Sequence, residues 1–113
     1  MSAANHDLVI DQGSTFVIDL TIKESGSVKN LTGFSARAQM RSSKSDSAVA
    51  ATFTCTVTTP ATNGIVKMEL PATTSSAMTA GVYFYDLEIH TANDATVKRL
   101  IEGKVTINQE VTR

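Results

Sequence analysis

The stretch Thr15-Phe16-Val17-Ile18-Asp19-Leu20-Thr21-Ile22-Lys23 decides the fold. Phe16, Ile18, Leu20 and Ile22 fall on one parity; Thr15, Val17, Asp19, Thr21 and Lys23 fall on the other. Successive side chains of a strand point to opposite faces, so this pattern is a strand with one face in a core and one in water. The same period returns along the chain. Strands are expected over 15–24, 34–41, 49–58, 65–70, 82–91 and 96–109, with a short edge strand inside 7–11. Gly and polar clusters separate them, among them Gln12-Gly13-Ser14, the flexible loop 42–47 and Ala92-Asn93-Asp94-Ala95. Asn63-Gly64 carries the strongest short-range hairpin signal. Residues 73–80 lack the two-residue period and read as a helical turn plugged by Met78.

Strand 82–91 is apolar on both parities at its start, where Val82 and Phe84 alternate with Tyr83 and Tyr85, so it is expected to be central. Gly103 interrupts the last strand and marks a bulge or a change of partner. Turns every 8–12 residues and no strand–helix alternation exclude a parallel α/β sheet. The fold class expected is all-β: a single immunoglobulin-like antiparallel β-sandwich of about seven or eight strands. Its core is expected to hold Phe16, Ile18, Leu20, Phe34, Ala36, Phe53, Met68, Tyr83, Tyr85, Leu87, Val105 and Ile107.

Composition agrees. The 113 residues suffice for one domain, 1–113, with residues 1–10 as an N-terminal arm and 108–113 as a C-terminal tail. Hydrophobic residues, at 42%, are enough for a packed core. A net charge of −1 supplies no field for nucleic acid or an anionic membrane. Cys55 is the one cysteine, so no intrachain disulfide forms. The first residues hold no basic and apolar leader, and no apolar run reaches a membrane span. The chain is therefore expected to stay in the cytoplasm or to leave it only within a particle.

The chemistry-bearing residues are scattered. Cys55 alternates with Phe53 and Val57 and reads as a buried thiol, with His6 and His90 distant in sequence. No His or Cys pair has metal-ligand spacing, and no Gly-rich phosphate loop or nucleophile elbow occurs. Asp7 and Asp11 read as solvated edge charges. Arg37, Arg41 and Lys44, with Lys98 and Arg99, form a modest basic patch if their strands are neighbours, balanced by Glu69, Glu88 and Glu102. Asp86, in an aromatic-rich strand, needs a partner such as Arg37 or Arg99. The expectation is no enzyme, no cofactor and no metal.

Four ordered segments carry a resemblance: Asp11-Gln12-Gly13-Ser14-Thr15-Phe16; the run from Asn30-Leu31-Thr32-Gly33-Phe34 to Met40-Arg41; Gly81-Val82-Tyr83-Phe84-Tyr85-Asp86-Leu87; and Ile101-Glu102-Gly103-Lys104-Val105 with Val111-Thr112-Arg113. In order and spacing they resemble small β-sandwich proteins among the structural components of tailed bacteriophages. They are also similar to the N-terminal domain of the upper baseplate protein of lactococcal phages. Phe34 stands where that pattern commonly has Tyr. The resemblance implies an immunoglobulin-like virion component without catalysis, assembled in the host cytoplasm in multiple copies at the tail, baseplate or neck. A capsid decoration or cement protein is the alternative, and a receptor- or carbohydrate-binding module is a third. The expected partners are other virion proteins and copies of the chain, with no small-molecule substrate, nucleic acid or membrane. The expected assembly contacts are Leu8, Val9, Ile10, Arg37, Arg41, Val111 and Arg113, with the N-terminal arm or the C-terminal tail lying on an adjacent chain.

Overall fold

The computed structural model describes residues 4–24 and 26–111. Its strands are β1 (Ala4–Asn5), β2 (Leu8–Asp11), β3 (Phe16–Thr21), β4 (Lys23–Glu24), β5 (Ser27–Val28), β6 (Ser35–Arg41), β7 (Ala51–Val57), β8 (Ile65–Leu70), β9 (Gly81–His90) and β10 (Val97–Asn108). One short helix, α1 (Ala72–Ala77), joins β8 to β9. The long strands fall on the periods read from the sequence, so the chain is the all-β sandwich expected of them.

The sheet order is β1-β10-β9-β6-β7-β8-β3, with β2 also paired to β10. The ladder folds over at β7. Its first half, Ala51 to Phe53, pairs with β6, and its second half, Thr54 to Val57, pairs with β8. One strand thereby serves both layers, bringing β8 and β3 over β9 and β10. Phe53 lies at this corner. Its ring centroid is 6.2 Å from Phe16 on β3 and 6.1 Å from Tyr85 on β9, so three aromatic side chains tie the layers together.

The core holds Phe53, Met68, Tyr85, Leu87, Val105 and Ile107 as expected, joined by Ile22, Leu31, Met40, Leu70 and Ile89. Phe16, Ile18, Leu20, Phe34, Ala36 and Tyr83 are only partly buried, packed against its margin. Among the described residues β3 ends the sheet order and has a neighbour strand on one side only, so its inward side chains are incompletely covered.

The N-terminal segment departs from expectation. Instead of an arm for a neighbouring chain, β1 and β2 add to β10 of the same chain, and they do so in parallel, so the sheet is not wholly antiparallel. Leu8 is 4% and Ile10 1% exposed, which places both in their own core. Between β1 and β2 the contact with β10 is kept by one backbone hydrogen bond and with β10 and β9 by two side-chain ones. The His6 N–H donates to the Glu102 carbonyl, the Asp7 carboxylate accepts the Lys104 N–H at 2.9 Å, and the Tyr85 hydroxyl donates to the His6 carbonyl. Asp7 is thus the solvated edge charge expected and, in addition, a ladder acceptor. Gly103 is required here because a Cβ would strike the His6 carbonyl oxygen. The register shift of β10 lies earlier, between Arg99 and Ile101.

Asn63-Gly64 does close the β7–β8 hairpin, but through a short 3-10 turn over Ala61–Asn63 rather than a two-residue loop. Gly64 takes φ 67° and approaches the backbone of the β5 segment, where a Cβ would lie 2.6 Å from the Lys29 carbonyl oxygen. Only glycine meets both demands. Met78 is buried as expected. Ser75 was not foreseen: fully buried, it accepts the Gly13 N–H at 3.1 Å and donates to the Ser14 carbonyl at 2.8 Å. With the bond from Gln12 Nε2 to the Met78 carbonyl, it fastens α1 to the Gln12–Ser14 turn.

Candidate functional site

The strand pairings bring the charged residues onto the outer face of β6, β9 and β10 in successive cross-strand rows. Arg99 stands opposite Glu88, and Glu88 opposite Arg37. Next come Glu102, Asp86 and Gln39, then Lys104, Phe84 and Arg41. Thr106 and Val82 follow, with Val9 of β2 beside Thr106. Inward-facing neighbours of opposite parity fix these strands in the core, so their outward residues are held in register. The face is a shallow depression of about 550 Å³ lined by residues that include Arg37, Arg41, Lys44, Phe84, Asp86 and Arg99.

Its electrostatics are largely internal. Arg37 Nε lies 2.5 Å from Glu88 Oε1, and its Nη1 3.2 Å from Asp94 Oδ1. The hydrogen bond it donates to Glu88 holds the Arg37 guanidinium above its ordinary pKa. Arg99 Nε lies 3.2 Å from Asp86 Oδ2, with Glu102 3.8 Å from its Nη1. Asp86 therefore has the arginine partner its setting required. Arg41 donates to the carbonyls of Asp46 and Ser47, at 3.1 and 2.7 Å, and to Gln39. It thus pins the 42–47 loop, whose polar composition alone would leave it flexible. Lys98 pairs with Glu24, whose carboxyl is held below the usual range by the hydrogen bond it accepts from Lys29 and by the charge of Lys29. Glu69 lies away on β8, opposite Val17 and Thr54, and does not balance the patch. Lys44 and Lys104 make no ion pair among the described residues.

Of the expected contact residues, the structure gathers Arg37 and Arg41 on this face, with Val9 at its far end, 62% exposed. Leu8 and Ile10 are committed to the core, as described. Val111 is 92% exposed beyond β10, and Arg113 lies outside the described residues. Phe84, in sequence a mark of a central strand, belongs to this face. Its parity already placed it outward, and its position between Arg41 and Lys104 emerges only from the pairing of distant strands.

Chemistry elsewhere is sparse. Cys55 is half-buried on β7, and loss of hydration pushes its thiol up to about 11, so the nucleophilic thiolate is suppressed near neutral pH. Among the described residues no three His, Cys, Asp or Glu side chains converge as metal ligands. A second depression, of about 540 Å³, lies beside α1 and is lined by residues including Ser42, Thr73, Thr74 and Tyr83. No helix among the described residues is long and apolar enough to cross a membrane.

Among solved structures, the chain is similar to InlP of Listeria monocytogenes, at TM-score 0.50 and 19% identity over 94% of this chain and 28% of that one. It is also similar to CopC of Methylosinus trichosporium OB3b, at TM-score 0.50 and 8% identity over 99% of this chain and 90% of that one. The chain thus spans little more than a quarter of the Listeria protein, and at these identities the likeness concerns the fold alone. No curated protein sequence matches the chain. The model of the LtfC-like β-sandwich domain matches residues 2–108, nearly the full length. By that match the chain belongs to the LtfC-like β-sandwich domain family.

Proposed function

We propose that the chain is a non-enzymatic structural component of a tailed-phage virion, present in multiple copies at the tail, baseplate or neck and assembled there in the host cytoplasm. The observation that carries the reading is the outer face of β6, β9 and β10. It is an open, ion-paired lattice of Arg37, Glu88, Asp86 and Arg99 that ends in the exposed apolar row of Val9 and Val82. Charges with exposed apolar side chains at their margin suit contact with another protein surface. Family membership supports the same reading, since LtfC is itself a phage-associated protein. The partners are other virion proteins and further copies of the chain. A capsid decoration role would use the same face.

A second reading, a receptor- or carbohydrate-binding module, is favoured by Phe84, an outward aromatic side chain between Arg41 and Lys104 and next to Asp86 in the lined depression. Quantitative mass spectrometry of purified particles separates the readings from a non-virion role. The expected result is a fixed copy number per particle that is lost when Glu88 and Asp86 are both changed to Lys. Particles complete without the chain would overturn the proposal.

A further inference from the structure

β3 ends the sheet order and pairs with β8. Ile22 donates its N–H to the Gly64 carbonyl and accepts at its own carbonyl from the Lys29 N–H, so both its backbone groups point toward β8 and β5. The register from Thr21↔Ile65 to Phe16↔Leu70 runs without a shift. Alternation then directs the backbone groups of Leu20, Ile18 and Phe16 toward β8, and those of Val17, Asp19, Thr21 and Lys23 outward. β4 continues the line, since Lys23 pairs with Val28 on the same side as β8. Among the described residues no strand pairs with this outer edge.

Edges of this kind are ordinarily blunted by proline, a bulge, an inward-pointing charge or a covering loop. From Phe16 to Thr21 there is no proline, the register holds no bulge, and the inward residues are Phe16, Ile18 and Leu20. Independently, those three side chains point at the core yet stay only partly buried. An added strand would cover them.

We propose that this edge pairs with the same edge of a second copy, antiparallel about a two-fold axis at Thr21. The inference goes beyond the virion reading and holds whether or not a particle houses the chain. Charge selects the register. Setting Asp19 against Asp19 of the second copy opposes like charges directly, and a shift by one pair sets Asp19 against Thr21 and Val17 against Lys23. A further shift sets Asp19 against Lys23 twice and Thr21 against itself, joining both charges of the edge. Opposite charges facing across strands stabilise the pair, and like charges destabilise it. Within its own sheet Asp19 already stands opposite Lys67, so each Asp19 would lie in a row between two lysines. The three facing pairs exchange about six backbone hydrogen bonds, two per pair.

The test uses the purified full chain in a Cys55→Ala background. Thr21→Cys is expected to form an interchain disulfide readily under mild oxidation, whereas Val17→Cys, far from its own copy in this register, is expected to form little. By sedimentation, the wild-type chain is expected to show a concentration-dependent species of twice 12.0 kDa. Asp19→Lys should weaken that dimer at least tenfold, and the exchange Asp19→Lys with Lys23→Asp should restore it. Thr21→Pro removes an outward N–H that β8 does not use, so it should abolish the dimer while the circular dichroism spectrum stays unchanged. A chain that remains monomeric throughout, equal cross-linking at both cysteine positions, or a charge exchange that fails to restore association would each overturn the proposal.

Discussion

Phe53 shows what one residue contributes. It is 3% exposed and bridges Phe16 and Tyr85 at the strand that serves both layers. Phe53→Ala should cost about 3–5 kcal/mol, read as a lowered urea midpoint. Two neighbouring groups set an alkaline limit. Burial pushes the Cys55 thiol up to about 11 and the Tyr85 hydroxyl up to about 12, the latter aided by the Asp7 charge. Both are acids whose folded pKa lies above the unfolded value, so the folded state holds their protons more tightly. Their contribution is complete below about pH 9 and is lost as pH rises from there through 11 for Cys55 and 12 for Tyr85. Denaturation midpoints should be flat between pH 7 and 8.5 and should fall between pH 9 and 12, with Cys55→Ala removing the earlier part of the fall. A midpoint unchanged at pH 11 would contradict this.

Elements repeat the lesson with longer reach. β3, β6 and β8 were legible because each has a clean two-residue period, and β9 because it is apolar on both parities at its start, as a central strand is. β1 and β2 were not legible as part of the sheet. Leu8-Val9-Ile10 is a three-residue apolar run, and nothing local says that its partner is β10, nearly a hundred residues away, or that the pairing is parallel. The consequence is measurable. Ile10→Ala should cost about 2–5 kcal/mol. Removing residues 1–11 should abolish the cooperative thermal transition, whereas removing residues 1–7 should leave the chain folded but less stable. That smaller loss comes from the Tyr85 hydroxyl losing its His6 acceptor and the Lys104 N–H losing Asp7. A fully cooperative transition without residues 1–11 would mean that β2 is an appendage. The glycines follow the same rule: Gly64 and Gly103 were visible as punctuation, but the carbonyls that exclude a side chain from each belong to segments distant in sequence.

At the scale of the whole molecule, the candidate site was half legible. Alternation showed that Arg37, Arg41, Asp86 and Glu88 point outward, and the need of a carboxylate among aromatic residues pointed to an arginine. The rows that pair them depend on β9 lying between β6 and β10, a matter of topology that no local pattern states. Topology likewise leaves β3 as an open edge and the β6–β9–β10 face as an open, charge-paired surface, features that fit a part repeated within an assembly. The most direct measurement is electron cryomicroscopy of phage particles purified from cells in which the chain is made. The account expects the domain in multiple symmetry-related copies in the tail, baseplate or neck, with the face of Arg37, Asp86 and Phe84 against another virion protein. Particles lacking the chain, or holding it with that face exposed to solvent in every copy, would contradict it.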